Sequence, residues 1–304
     1  MTTGFFTHDL CLCPDTGEGN PDHPDRIERI NWLMQASALS KRVLHLEAEK
    51  AKMCDILLAH AEPYIQKLQA LAKEHAKVSA ETSITPQLLE GAMKSAGAAI
   101  EATKQVVLGR LKNAFVCVRP PGHHAGIDFG GGFCLINSVA CAARFASERL
   151  GLKRIAVIDV DAHRANGSED ILASDPTFML FDSFQASAYP YGLEMCQADN
   201  VVNAALEDGT LGRDVIHLIE TQWIPKLRAF SPELILVSFG FDTHCEDDQT
   251  LLKFSEFDYS YLTRCLMRVA HDVCSDRLVS VMEGGYNKSA LARSVLAHVG
   301  TLAE

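Results

Sequence analysis

The sequence has no long apolar run and no recognisable export signal at its start. Hydrophobic residues make up 47% of its 304 residues. The mean hydropathy is +0.03, and the longest apolar runs fall short of the ~20 residues that a membrane-spanning helix needs. The first residues, MTTGFFTHDLCLCPD, lack a basic start, a long apolar stretch and a small-residue cleavage site. These features predict a cytoplasmic protein that does not contact a membrane.

An excess of basic residues is also missing. Lys and Arg number 28 against 39 Asp and Glu, which gives a formal net charge of -11. A protein that holds nucleic acid by its phosphates needs a basic surface, so direct binding of nucleic acid is not predicted. An acidic surface slightly favours cationic substrates, although solubility alone would also account for the charge.

No linker rich in Gly, Ser or Pro and no repeat of solenoid period divides the chain, so we expect one domain over residues 1–304. Its ten cysteines lie mostly inside apolar segments, which is typical of reduced thiols in a core rather than of disulfides. Cys11 and Cys13 are the one close pair. Because no second Cys/His pair follows at zinc-finger spacing, a structural zinc site is not predicted there.

Apolar strand patterns alternate with helical patterns along most of the chain. Helical spacing of apolar residues occurs over residues 86–111, 138–150, 215–230 and 257–274, and each of these stretches precedes an apolar run typical of a buried strand. Such alternation predicts an α/β fold in which helices cover both faces of a central, mostly parallel sheet. The first 85 residues read as helices and loops, with no strand that can be placed.

Polar residues gather where four of these apolar runs end. The runs are AFVCVRPPGHH (114–124), RIAVIDVDAH (154–163), ELILVSFGFD (233–242) and LVSVMEGGY (278–286). In an open parallel sheet, ligands bind outside the carboxyl ends of the strands, so the four ends predict one pocket.

Acidic and imidazole side chains in this pocket indicate a metal. In the predicted strand that ends at His163, the alternation of side chains places Asp159, Asp161 and His163 on one side. Two carboxylates and an imidazole are costly to bury without a positive partner, although a strand end in solvent would also tolerate them. Asp242 ends its own strand and would complete an O, N, O set with one open position. That arrangement is typical of catalytic zinc and is also compatible with manganese or iron(II).

Two further elements could supply proton transfer and hydrogen bonding. His123 and His124 follow an RPPG turn that can hold both imidazoles against the pocket. The alternative is a His pair that is exposed on a surface loop and has no role in a site. In EGGY, two glycines precede Tyr286, and they would let its hydroxyl approach the pocket as a donor to an oxyanion. The alternative for EGGY is an ordinary glycine turn with a packed tyrosine.

Together these segments resemble the zinc-dependent histone deacetylase family, within the arginase/deacetylase fold. The resemblance covers about residues 20–286 and includes GNPDHPDRI, RPPGHHAG, GGGFCLIN, DVDAHRANG, SFGFDTH and EGGY. Asn166 is similar to the bacterial and class II branch, since class I has Asp there.

The resemblance implies a role for each matching residue. Asp161, His163 and Asp242 would bind zinc. His123 and His124 would be the general base and acid pair, with Asp159 behind the first and Asn166 behind the second. Tyr286 would polarise the carbonyl, while Gly132 and Phe133 would line a narrow channel for an acyl-lysine-like chain. A structural potassium ion would be held by Asp159, Asp161, His163, Ser183 and Phe184.

The implied activity is hydrolysis of an acetyl or related acyl group on lysine or another amine, by a metal-activated water. Three departures from the family pattern bear on it. Arg164 and Ala165 replace a His-Gly pair, and the Arg164 charge could weaken metal binding or form a salt bridge. Gln249 stands at a position on the rim of the channel where relatives have residues that mark a substrate class, so no class is indicated. Asn20 replaces a loop His of the family.

Two other functions remain open from the sequence. An acyl-lysine-binding or partner-binding homologue with weak or no activity would explain Arg164. A binuclear manganese ureohydrolase would need further carboxylates after Asp242, and Thr243, His244 and Cys245 do not provide them. The oligomeric state, including a homo-oligomer, is also left open.

Overall fold

The computed structural model describes residues 2–13 and 19–304 and contains one sheet of eight parallel strands. The strand order is β2-β1-β3-β8-β7-β4-β5-β6. The strands are β1 (Thr3–Thr7), β2 (Val43–Glu47), β3 (Ala114–Val116), β4 (Ile155–Asp159), β5 (Phe178–Gln185), β6 (Val201–Leu206), β7 (Leu234–Phe239) and β8 (Leu278–Met282).

Helices connect most consecutive strands. The α-helices are α1 (Asp25–Ala36), α2 (Met53–Ile56), α3 (Glu62–Glu74), α4 (Pro86–Val107), α5 (Ser138–Glu148), α6 (Asn166–Leu172), α7 (Gly212–Leu218), α8 (Ile224–Phe230), α9 (Glu256–Cys274) and α10 (Lys288–Leu302). Short 3₁₀ segments occur at Asp9–Leu12 and Ala38–Lys41, and a π-helical segment at Ile219–Trp223.

The central strands are buried on both sides. Every residue of β3, β4, β7 and β8 is buried. Because successive side chains of a strand point to opposite faces, full burial means that both faces of the sheet are covered. The predicted α/β fold with helices on both faces is therefore confirmed, and the sheet is parallel throughout.

The structure differs from the sequence-based prediction at several elements. Strands β1 and β2 lie in the first 85 residues, where no strand could be placed, and β5 and β6 also lacked a prediction. The single helix predicted over residues 215–230 is divided into α7, a π-helical segment and α8. Pro225 lies at this division, and its missing N–H removes one hydrogen bond of a regular helix.

The helix predicted over residues 86–111 begins at Pro86 as expected. The hydroxyl of Thr85 caps it by accepting a hydrogen bond from the N–H of Leu88 (3.1 Å). It ends earlier than predicted, at Val107, and Gly109 follows with a φ of +68°. A left-handed glycine after the last turn is a common way to end a helix.

The ten cysteines are free thiols. Among the described residues, no helix is both long enough and apolar enough to cross a membrane.

Candidate metal and catalytic site

The four strands that carry the polar motifs are neighbours in the sheet. They occupy the consecutive positions β3-β8-β7-β4. Because the strands are parallel, their carboxyl ends all lie at the same edge, and the residues that follow them meet there.

Three potential metal ligands meet at this edge. The Nδ1 atom of His163 lies 3.0 Å from Oδ1 of Asp161 and 3.0 Å from Oδ2 of Asp242. One ligand atom from each of the three residues falls within 4.8 Å of the other two. Both carboxylates are buried, so the set of two oxygens and one nitrogen fits a divalent cation and leaves room for further ligands.

The reason for this convergence differs from the predicted strand alternation. β4 ends at Asp159, and Asp161 and His163 lie in the turn that follows it. Backbone N–H groups fix the two carboxylates instead. Gly284 donates to Oδ2 of Asp161 (2.8 Å), and Ala162 donates to Oδ1 of Asp242 (3.0 Å). Each carboxylate thereby keeps its other oxygen directed at His163.

The electrostatics of the three side chains favour a bound cation. Burial raises the pKa of Asp242 to about 6, and the nearby Asp161 carboxylate adds to this shift. Burial opposes a charge on His163, but hydrogen bonds to both carboxylates outweigh it and raise its pKa to about 10. A proton on His163 thus supplies part of the positive charge that a metal ion would supply.

The imidazoles of His123 and His124 lie side by side, with ring centroids 4.0 Å apart. Each has a polar partner behind Nδ1. His123 is 3.2 Å from Oδ2 of Asp159, and His124 is 2.7 Å from Oδ1 of Asn166. The two partners differ in charge, which gives the two rings different proton affinities.

Burial disfavours the charged form of both imidazoles, but the charges beside the two rings differ in sign. The Asp159 and Asp161 carboxylates outweigh burial at His123 and raise its pKa well above the usual value. At His124, burial and the positive charges of His123 and His163 lower the pKa well below the usual value. Adjacent groups with opposite shifts are typical of an acid and base pair.

Tyr286 and the GGGF segment form the wall of the site. The ring of Tyr286 meets that of Phe133 edge-on at 6.0 Å. Gly132 has a φ of +52°, and a side chain on it would collide with the ring of His124. Phe133 also has a positive φ, +67°, which is uncommon for a bulky residue and holds its ring beside the site.

Three residues that the sequence did not single out support this wall. The buried guanidinium of Arg26 donates to the carbonyls of Gly285 (2.6 Å) and Glu283 (2.5 Å) and lies 4.9 Å from the centroid of Tyr286. Oε2 of Glu283 accepts from the N–H of Gly122 (2.6 Å). Arg26 lies in the GNPDHPDRI motif and Glu283 in the EGGY motif, so the sequence contains a signal for both residues.

Tyr189 is the third residue, and no pattern in its surroundings pointed to it. Its ring meets that of His124 edge-on at 4.9 Å, on a loop that follows β5. Tyr189 and Phe133 therefore give His124 and Tyr286 an aromatic neighbour each.

The remaining predicted residues are Gln249, Ser183 and Phe184. Gln249 is exposed on the loop after β7, and its N–H donates to Asp247, whose carboxylate also accepts from the N–H of Tyr286 (2.6 Å). Ser183 and Phe184 are buried near the end of β5. The potassium site stays a prediction.

The charge of Arg164 is paired with a carboxylate that is not one of the three potential metal ligands. Its guanidinium pairs with Glu169, with Nη2 2.6 Å from Oε2, and both side chains are buried. Of the two effects considered for Arg164, the structure therefore shows the salt bridge.

Comparison with solved structures identifies the fold. The crystal structure of the HDA15 HD domain matches with a TM-score of 0.89, at 23% sequence identity, over 99% of this chain and 90% of that one. The architecture is thus the arginase/deacetylase fold.

Sequence comparison identifies the family. The family described as "Histone deacetylase domain" matches residues 20–302. A "Probable deacetylase" of Archaeoglobus fulgidus is 32% identical over 100% of this chain and 87% of its own length. "Histone deacetylase 10, chloroplastic" of Oryza sativa is 30% identical over 94% of this chain and 70% of its own length. The chain belongs to the histone deacetylase family.

Proposed function

We propose that this protein is a zinc-dependent amidohydrolase that removes acetyl or related acyl groups from acylated lysine or another acylated amine. The observation that carries the proposal is the grouping of His163, Asp161 and Asp242 within 4.8 Å, beside two imidazoles with opposite pKa shifts. Zinc held by these three residues would supply a Lewis acid and a water of lowered pKa.

The two imidazoles would have different roles, one in proton transfer and the other in charge stabilisation. His124 is kept neutral, so it can accept a proton from the attacking water and return it to the leaving amine. His123 is kept charged by Asp159 and would stabilise negative charge that develops beside it. Asn166 fixes the orientation of His124 through the 2.7 Å contact at Nδ1, which leaves Nε2 as its reactive atom.

Tyr286 would donate a hydrogen bond to the developing oxyanion. Burial raises its pKa well above the usual value, so the hydroxyl keeps its proton at neutral pH. Arg26 holds the backbone on either side of Gly284 and thereby fixes the approach of the tyrosine. Gly132, Phe133 and Tyr189 would line the path of an acyl-lysine-like chain.

The proposal predicts one zinc ion per chain and a loss of metal when a ligand is removed. Asp242→Ala should reduce bound zinc from about one equivalent to near zero and abolish hydrolysis of an acetyl-lysine peptide, since a three-ligand site cannot keep its affinity with two. Metal analysis of the purified protein, together with release of the free amine, measures both quantities. Glu256→Gln, a carboxyl change on α9 outside the ligand set, should retain both zinc and activity.

Several outcomes would contradict the proposal. Two equivalents of metal in the unmodified protein would favour the binuclear ureohydrolase, because that site needs paired ions. A zinc-loaded protein that binds the acetyl-lysine peptide without hydrolysing it would favour the binding homologue. If the protein hydrolyses the acetyl-lysine peptide, comparing kcat/KM for acetylated lysine and for acetylated polyamines of matched chain length would establish the preferred amine.

A further inference from the structure

Arg164 connects the metal-binding turn to a loop that follows β5. Its Nε lies 3.1 Å from each Glu169 oxygen, and its Nη2 lies 2.6 Å from Oε2. The third nitrogen, Nη1, donates to the carbonyl of Leu193 (3.3 Å). The residue is only 6% exposed, so these contacts are shielded from water. One guanidinium thus joins two separate parts of the chain.

Glu169 is itself held in place from a third element. Its Oε1 accepts a hydrogen bond from Nδ2 of Asn203 on β6 (2.7 Å). The Arg164 guanidinium also lies 5.9 Å from the centroid of Phe184, in the last part of β5. The residue therefore lies near the last part of β5 and is bonded to the loop that follows this strand at Leu193.

The start of the loop is bonded to other segments, since the N–H of Ala186 donates to the carbonyl of Leu206 (2.8 Å) and the hydroxyl of Ser187 donates to Oδ1 of Asp208 (2.6 Å). The part of the loop that follows Ser187 has few other attachments. Tyr191 is 77% exposed and Leu193 is 51% exposed. Within the described parts of the chain, the bond from Arg164 is the one hydrogen bond that links residues 189–196 to another segment. This loop carries Tyr189, whose ring lies against His124.

We propose that Arg164 is a positioning residue that acts through the loop of residues 189–193 to hold Tyr189 against the substrate path. The inference rests on the proposed function, because it assigns Tyr189 to the wall along which the acylated chain passes. Arg164 influences binding of that chain, whereas the metal ligands and the His pair carry out the reaction.

The geometry of the guanidinium explains why arginine suits this position. Its planar fork presents donors in several directions, so it can pair with Glu169 and still reach a carbonyl on the opposite side. A lysine ammonium could keep the pairing with Glu169 but is a single point charge that cannot span both partners. Arg164→Lys should therefore keep part of the effect, while Arg164→Ala should lose all of it.

Limited proteolysis tests the anchoring step without relying on activity. In Arg164→Ala, chymotrypsin should cleave after Tyr191 and Leu193 faster than in the unmodified protein, because the carbonyl of Leu193 loses its hydrogen bond to Nη1 and the loop opens more often. Arg144→Ala is a matched control, since Arg144 also pairs with a carboxylate (Asp175, 2.6 Å) and a carbonyl (Ile171, 2.5 Å), away from this loop. The control should leave the rate of cleavage at these two sites unchanged.

Kinetics and binding test the consequence for substrate. KM for an acetyl-lysine peptide should rise about tenfold in Arg164→Ala, the equivalent of one charge-assisted hydrogen bond, with kcat within about twofold and zinc content unchanged. The effect should be much smaller in a Tyr189→Ala background, because the residue through which Arg164 acts is then absent. The KM of Arg164→Lys should fall between those of the unmodified protein and Arg164→Ala.

Other results would overturn the inference. An unchanged rate of cleavage after Tyr191 and Leu193 would show that Arg164 does not hold the loop. A loss of zinc, or a fall in kcat with KM unchanged, would place its effect at the metal instead. A protein that neither binds nor hydrolyses the peptide would refute the proposed function, and the comparison of cleavage rates would still decide whether Arg164 holds the loop of Tyr189.

Discussion

Asp161 and Asp242 use their two oxygens for different purposes. In each carboxylate, one oxygen accepts a backbone N–H from another segment, and the other lies 3.0 Å from Nδ1 of His163. The backbone bonds fix the orientation of the side chains before any ion binds. A site arranged in this way loses little conformational freedom on binding metal.

Tyr286 offers a direct test of the catalytic arrangement. Tyr286→Phe should lower kcat by about 100-fold or more, because it removes one donor to the oxyanion, and should leave KM nearly unchanged. Steady-state kinetics on an acetyl-lysine peptide measure both values. Tyr261→Phe, which changes a tyrosine whose hydroxyl contacts Glu220 on the outside of the fold, is the matched control. Equal turnover in the two variants would remove Tyr286 from the mechanism.

Helix α4 packs closely against the segment that follows β2. The N–H of Ala51 donates to the carbonyl of Met93 on this helix (3.0 Å). At Gly97, one turn further along, an added Cβ would overlap the carbonyl oxygen of Glu49 and lie 2.7 Å from the nitrogen of Ala51. The close approach of helix and segment therefore requires glycine at this position.

Gly97→Ala should lower the free energy of unfolding by about 1–3 kcal/mol, because backbone atoms must move apart to admit the methyl group. Gly300→Ala in α10 is the opposite case, since its nearest neighbour is a Leu39 methyl at 3.9 Å. There the methyl group fits, and the better helix propensity of alanine should stabilise the protein by up to about 1 kcal/mol. Denaturant unfolding of both variants measures the two changes. Destabilisation of similar size in both would contradict the packing argument.

The helices and strands of the structure show which local sequence patterns were sufficient to predict an element. The stretches that begin at Pro86 and Ser138 were predicted from apolar spacing, and α4 and α5 begin at these residues. β1 and β2 were missed because neither is a continuous apolar run, since β1 has the sequence TGFFT and β2 the sequence VLHLE. β6 is an edge strand of mostly half-buried residues, so it lacks the continuous apolar run of the central strands.

Across the molecule, buried histidines make stability depend on pH. His298 lies among the rings of Phe115, Phe239 and Phe241, and burial lowers its pKa from 6.5 to about 3. Between those two pH values the unfolded chain binds a proton at this position and the folded chain does not. The free energy of unfolding therefore decreases as the pH falls through this window.

His298→Gln should reduce this dependence on pH. The unmodified protein should lose up to about 1.4 kcal/mol more per pH unit than the variant between pH 6 and pH 4. Denaturant unfolding at several pH values measures the two slopes. His271→Gln changes an exposed histidine and should keep the slope of the unmodified protein. Parallel slopes for the unmodified protein and His298→Gln would show that His298 does not contribute.

The amino-acid sequence by itself determined the α/β class, the parallel direction of the central strands and the types of side chain that lie at their ends. These properties follow from local apolar patterns and from the rule that parallel strands end at one edge. The motifs also carried the resemblance to the histone deacetylase family, to which the chain belongs.

Only the tertiary structure decided how those residues act on one another. It directed Arg164 towards Glu169, placed Tyr189 against His124, and gave His123 and His124 opposite pKa shifts although they are adjacent in the chain. The physical reason is that ion pairing and proton affinity depend on distance and burial. Those quantities are set by partners such as Asp159 and Asn166, which lie 36 and 42 positions further along the chain.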